Sequence, residues 1–122
     1  MKMPSGATDK AWGWCIEVYR SQETRLVRAH AESGGSSSLH LHRNQHNIFV
    51  VISGMLLVLV DHGNCCVEHR LAGNEMLMVK AGVKHKFIAL SDVDMFEQYL
   101  AVDGIVPQES DIVRFSEAME HQ

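Results

Sequence analysis

Apolar and polar positions alternate with period two over most of the chain. Thr24 to Ala31 places Leu26, Arg28 and His30 on one face and Val27, Ala29 and Ala31 on the other, the pattern of a half-buried strand. Cys65 to Leu71 alternates in the same way, and Trp12 to Tyr19 is rich in aromatic and β-branched residues. Ile48 to Ile52 and Met55 to Val60 are continuous apolar runs, which predict strands covered on both faces. Leu39 to His42, Glu75 to Val79, His85 to Leu90 and Met95 to Val102 complete the strand set.

Polar or glycine-containing stretches separate these runs. They are Ser21 to Glu23, Glu32 to Ser38, Arg43 to His46, Ser53-Gly54, Asp61 to Asn64, Gly73-Asn74, Ala81-Gly82, Ser91 to Asp94 and Asp103-Gly104. Roughly eight or nine short strands with a turn every eight to twelve residues predict an all-β sandwich or barrel. The segment from Ser110 is expected to end in a short helix.

The 122 residues suit one domain with one core. Residues 1–10 read as a flexible N-terminal segment, 11–116 as the barrel and 117–122 as a C-terminal tail. A formal net charge of −4 without a basic run argues against nucleic-acid and membrane-surface partners. The N-terminus lacks an apolar signal core, so the expected location is cytoplasmic. Cys15, Cys65 and Cys66 are odd in number and two are adjacent, which reads as free thiols rather than a disulfide framework. Both faces of Met55 to Val60 are apolar, yet a small barrel has one interior. The other face therefore needs a second sheet, the tail or a partner chain, and a homodimer is the expected answer.

His40 and His42 stand two apart between a glycine- and serine-rich loop and a buried strand, so their imidazoles share one strand face. His85, in Gly82-Val83-Lys84-His85, supplies a third from a later strand. Neutral imidazoles on stiff backbone make a metal site.

The spacing Gly34, five residues, His40-x-His42, four residues, Asn47, six residues, Gly54 resembles the first cupin motif. Gly73 followed by Ala81-Gly82-Val83-Lys84-His85 resembles the second. The resemblance implies a single-domain jelly-roll barrel with a divalent ion (Zn, Mn, Fe, Ni or Co) held by His40, His42, His85 and the residue at position 47. That residue is glutamate in the motif and Asn47 here; Lys80 and Ala89 stand where the second motif has proline and asparagine. A neutral amide binds a cation more weakly than a carboxylate and leaves the ion with more uncompensated charge. An irregular turn would let His46 take the place of Asn47.

Trp12-Gly13, Ser38-Leu39, Val50 to Gly54, Ala81 to His85 and Glu109 to Phe115 are similar to the cupin part of bacterial type II mannose-6-phosphate isomerases. That resemblance implies aldose–ketose isomerisation, which needs a Lewis acid and a base. Candidate bases are His46, Glu97 and His30. Candidate cations for a substrate phosphate are Arg43, Lys84 and Arg114, with Lys86 in reserve. The expected partner is a sugar or sugar phosphate. Two alternatives stay open: a non-catalytic cupin that binds a small ligand such as a sugar, and a three-histidine metal dioxygenase.

Overall fold

A computed structural model of the chain describes residues 3–116. Eleven strands, with no helix among the described residues, build two antiparallel sheets. They are β1 (Thr8–Lys10), β2 (Gly13–Arg20), β3 (Thr24–Ala31), β4 (Leu39–Leu41), β5 (Gln45–Ser53) and β6 (Leu56–Asp61), then β7 (Cys66–Leu71), β8 (Met76–Val79), β9 (Lys84–Ala89), β10 (Val93–Ala101) and β11 (Val113–Phe115). The six-stranded sheet runs β1-β2-β3-β10-β5-β8 and the five-stranded sheet β11-β4-β9-β6-β7. The all-β barrel read from the alternation is the fold found.

Alternation decides what enters the space between the sheets. Ala29 and Ala31 of β3, Phe49 and Val51 of β5, Leu56 and Val58 of β6, Phe87 of β9 and Met95 of β10 close one apolar cluster. Removing these side chains from water is the main favourable contribution to folding. Gly54 lets β5 turn into β6: its φ is +90°, and a Cβ there would run into the carbonyl oxygen of Asp92, so both conformation and space require glycine.

Four expectations change. Thr8–Lys10, read as part of a loose lead-in, is a strand paired with β2 from Thr8 opposite Cys15 to Lys10 opposite Gly13. β5 starts at Gln45, inside the expected turn, so its two strand neighbours extend to the site. Val113–Phe115 forms β11 against β4; the helix expected further on falls on 117–120, outside the described residues. The second face of β6 needs no partner chain. Leu57 and Leu59 are fully buried within the single chain. Their cross-strand neighbours on that face are Ile88 and Arg70, and Lys86 and Glu68.

The outer face of the six-stranded sheet is different. One cross-strand row reads Met76, Val50, Phe96, Arg28, Ile16, and the next Met78, Ile48, Gln98, Leu26, Tyr19. No helix in the described residues is long and apolar enough to cross a membrane.

Candidate metal centre

Three short strands of the smaller sheet aim the site. β4 lies between β11 and β9, with His40 directly opposite His85 on one side and Arg114 on the other. His42 follows just beyond the end of β4, and its carbonyl accepts the Gly82 N–H at 2.7 Å, which ties the two histidine-bearing segments together. All three imidazoles are buried, and one ring nitrogen from each falls within 4.8 Å of the others. An ion with ligand bonds of about 2.1 Å spans about 4.2 Å, so the cluster matches one ion with a small adjustment.

The outer nitrogen of each ring is held by main chain. His40 Nδ1 donates to the Ser38 carbonyl at 2.7 Å, His42 Nδ1 to the Asp111 carbonyl at 2.7 Å and His85 Nδ1 to the Val83 carbonyl at 2.9 Å. A carbonyl only accepts, so each Nδ1 carries the proton and each Nε2 presents a lone pair. Burial keeps the rings neutral. It lowers the His40 pKa to about 4 and the His85 pKa to about 3, where the neighbouring His40 adds to the effect, and it lowers that of His42 as well. Support of the distal nitrogen is the usual arrangement behind a metal-bound histidine.

The inner atoms offer lone pairs to a cation. His42 Nε2 is buried with no hydrogen-bond partner. His85 Nε2 lies 3.2 Å from Asn47 Oδ1, which sets one acceptor against another. A divalent ion shared by His40, His42, His85 and the Asn47 amide oxygen resolves both problems, so these residues fit a metal. Three neutral nitrogens with one neutral oxygen suit borderline ions such as those named above.

Position 47 is Asn47, as the motif spacing implies, and not His46. Gln45, Asn47 and Phe49 point inward from β5, whereas His46 turns to the other face, where its Nδ1 accepts the Ala81 N–H at 3.0 Å. His46 therefore meets neither the ligand nor the base expectation. His30 is also outside: it stacks on Trp14 and its Nδ1 lies 3.1 Å from Asp94.

Glu97 enters the same cavity as His40 and His42, a space of about 140 Å³. Its carboxyl is buried, and that burial raises its pKa to about 7 against the opposing pull of Asn47, Tyr99 and Arg25. The Asn47 amide is close enough to favour the carboxylate, although its Nδ2 makes no hydrogen bond of regular geometry. Tyr99, next inward on β10, is buried beside Glu97, and burial raises its phenol well above the usual value.

Of the cations expected to hold a phosphate, only Arg114 lines the cavity. Arg43 is exposed elsewhere on the surface, and Lys84 sets its ammonium over the Phe115 ring, 4.2 Å from the centroid. Lys86 lies on the outer face, opposite Leu59. Two other cations, Lys10 and Arg25, line the cavity instead. Arg25 is buried, with its Nε on Glu17 Oε1 at 2.7 Å and its guanidinium over the Tyr99 ring at 5.2 Å. Inward alternation on β3 was the available signal for Arg25. No sequence pattern marks Lys10.

The C-terminal segment also gains a role. Asp111 accepts the Arg43 and Asn44 N–H groups at 2.9 and 2.8 Å through its carboxylate, while its carbonyl holds His42. Gln45 braces this arrangement, donating to the Gln108 carbonyl at 3.2 Å and accepting from the Gln108 N–H at 3.1 Å.

Comparison with known proteins agrees with this architecture. KdgF from Halomonas sp. superposes with a TM-score of 0.70 at 16% identity, over 78% of this chain and 86% of that one. The capsular polysaccharide assembling protein CapF from Staphylococcus aureus gives a TM-score of 0.73 at 19% identity, over 93% of this chain and 32% of its own. A variant of oxalate decarboxylase from B. subtilis gives 0.76 at 14% identity, over 89% and 30%. No curated protein matches by sequence. The cupin-domain family matches residues 27–97, a stretch that holds His40, His42, Asn47, His85 and Glu97. With more than half of its length matched, the two-sheet barrel around it and three converging imidazoles within it, the chain belongs to the cupin family.

Proposed function

We propose that this cupin is a metal-dependent isomerase that moves a proton between adjacent carbons of an open-chain sugar or sugar phosphate. The observation that carries the reading is the placing of the Glu97 carboxyl in one small cavity with His40 and His42, next to Asn47. A base must lie within reach of the substrate carbon whose oxygen is polarised, and Glu97 is the buried carboxyl that meets this requirement among the described residues.

A divalent ion held by His40, His42, His85 and Asn47 would supply Lewis acidity toward the substrate oxygens. Glu97 takes the proton from the hydroxyl-bearing carbon and returns it to the former carbonyl carbon, while the hydroxyl proton passes to the former carbonyl oxygen. Lys10, Arg25 and Arg114 line the same space and favour a substrate with an anionic group. Tyr99 and Val27 help exclude water from the base. A sugar substrate is in keeping with the polysaccharide work of the fold neighbour CapF.

The test is metal-reconstituted protein with mannose 6-phosphate, mannose and related aldoses in deuterated water, followed by NMR. Aldose-to-ketose conversion with deuterium at the shifted carbon is expected. Glu97→Gln should lower turnover by about 10²–10⁴-fold and leave metal content unchanged. Absence of both conversion and exchange across the panel overturns the reading. Ligand binding without turnover would leave a non-catalytic sugar-binding cupin.

The neutral donor set favours one competing reading, a three-histidine oxygenase, because among the described residues no carboxylate belongs to the donor cluster itself. Oxygen consumption by the iron-loaded protein with a chelating substrate would distinguish it from the isomerase.

A further inference from the structure

We propose that Asp111 is a positioning residue that couples metal binding at His42 to docking of the C-terminal segment 108–115, so that an ion at the site holds this segment closed over the cavity. The coupling needs an ion at the site and is indifferent to the reaction carried out there.

Asp111 grips the His42 stretch twice. Its carboxylate accepts the Arg43 and Asn44 N–H groups at 2.9 and 2.8 Å, and its carbonyl accepts His42 Nδ1–H at 2.7 Å. The carboxylate thus sets where the carbonyl stands, and the carbonyl sets which ring nitrogen of His42 carries the proton. Earlier in the segment, the Gln108 main chain is bonded in both directions by Gln45. With the segment lifted, a neighbour that stays at His42 Nδ1 is the Gln45 amide nitrogen, 3.3 Å away. The acceptor that fixes the proton on Nδ1 is then gone. A ring with its proton on Nε2 has no lone pair there for an ion.

The segment is otherwise lightly held. Pro107 is fully buried and its carbonyl accepts an Arg20 N–H at 2.9 Å, which makes a fixed point for a hinge. Beyond it Gln108, Glu109 and Ser110 are exposed, and no residue of 108–115 is fully buried. β11 has three residues and pairs with β4 at the edge of its sheet. Segments with few buried apolar contacts open at low free-energy cost. Glu109, Ile112 and Arg114 line the cavity, so lifting the segment takes them out of its wall. Linkage is reciprocal: by the factor that docking improves His42 as a ligand, a bound ion stabilises the docked segment. The barrel therefore opens for loading and closes on the loaded ion.

Hydrogen–deuterium exchange of the full chain with and without Co²⁺, read beside a Co²⁺ titration followed by absorption, tests the coupling. Saturating Co²⁺ should slow exchange across 108–115 by about tenfold or more and change it little on β7, at the opposite edge of the same sheet. Asp111→Ala should weaken Co²⁺ binding by about 10–100-fold, alter the Co²⁺ absorption bands and abolish the protection of 108–115. Asp111→Asn, which keeps an oxygen acceptor, should restore part of the affinity. Phe115, whose ring lies under the Lys84 ammonium, anchors the far end of the segment. Phe115→Ala should weaken binding by about fivefold or more, which keeps the test decisive if Asp111→Ala folds poorly by circular dichroism. Native Co²⁺ affinity in both alanine variants overturns the proposal, as does a protein that takes up no Co²⁺. Protection gained equally on β7 and on 108–115 overturns it too, because it reports global stabilisation. Affinity lost in Asp111→Ala alone, with 108–115 indifferent to Co²⁺, would reduce Asp111 to a local brace of the turn and overturn the coupling.

Discussion

The two ends of the barrel interior are built from the same strands and have opposite chemistry. On β5 the inward residues pass from Gln45 and Asn47 to Phe49 and Val51; on β9 from His85 to Phe87 and Ala89; on β10 from Tyr99 and Glu97 to Met95 and Val93; on β3 from Arg25 to Val27, Ala29 and Ala31. One end is a dry cluster, the other a polar pocket. On each strand the change comes within a single inward step, between residues two apart: 47 to 49, 85 to 87, 97 to 95 and 25 to 27. Phe49 and Phe87 form the floor: the Phe49 ring lies 6.0 Å from that of His85 and 6.2 Å from that of Phe87. The stiff apolar end thus sets the backbone from which the polar end is aimed, and the C-terminal segment through Asp111 completes the support.

The comparison yields three ways to break it. The largest effect belongs to His42→Ala/His85→Ala at the polar end. Elemental analysis after purification without chelators should find bound metal in the native protein and none in the variant, while strand content by circular dichroism persists. Next is Phe49→Ala at the floor. Emptying a fully buried aromatic site costs about 3–5 kcal/mol, read as a lower denaturant midpoint, and metal affinity should fall with it because His85 loses its packing. Stability independent of Phe49 would separate the two ends.

The smallest effect is a pH dependence of the metal-free protein. The folded-state pKa values of His40 and His85 lie near 4 and 3, below the ordinary 6.5. At these two sites the unfolded chain therefore binds protons that the folded chain refuses, so their contribution to stability is full above pH 6.5 and falls as the pH drops toward 4. Glu97, raised to about 7, works the other way between pH 7 and 4.5, so the measurement belongs in a Glu97→Gln background. There, thermal midpoints between pH 7.5 and 5 should decline, and the decline should flatten when His42→Ala/His85→Ala is added; midpoints that rise on acidification in that background would contradict neutral, desolvated imidazoles.

Much of this division was legible in the sequence. Period-two alternation located most strands, and the H-x-H pair with the later glycine-marked histidine pointed to the three imidazoles that cluster. What escaped did so for physical reasons. On Thr24–Ala31 the alternation puts Arg25 on the apolar face of Val27, Ala29 and Ala31, but an arginine at the end of such a row is easily passed over as a surface charge; pairing with β10 sets it opposite Tyr99, inside the barrel. His46 and Asn47 differ by one position, and the start of β5 at Gln45 decides which side chain enters the pocket. β1 and β11 are three residues each, too short for a period to show, and they exist because longer strands offer them an edge. Leu57 and Leu59 read as a face in search of a partner because their full burial within one chain depends on the tertiary fold and not on any local pattern.

The three imidazoles are gripped from behind by peptide oxygens of Ser38, Val83 and Asp111. No point substitution removes a peptide oxygen. The aim of the rings is thus encoded in the course of the chain, and residues 38 and 83 are free to drift over evolutionary time without blunting it. A barrel of this kind can share under a fifth of its residues with structural kin and still be able to point three nitrogens at one spot.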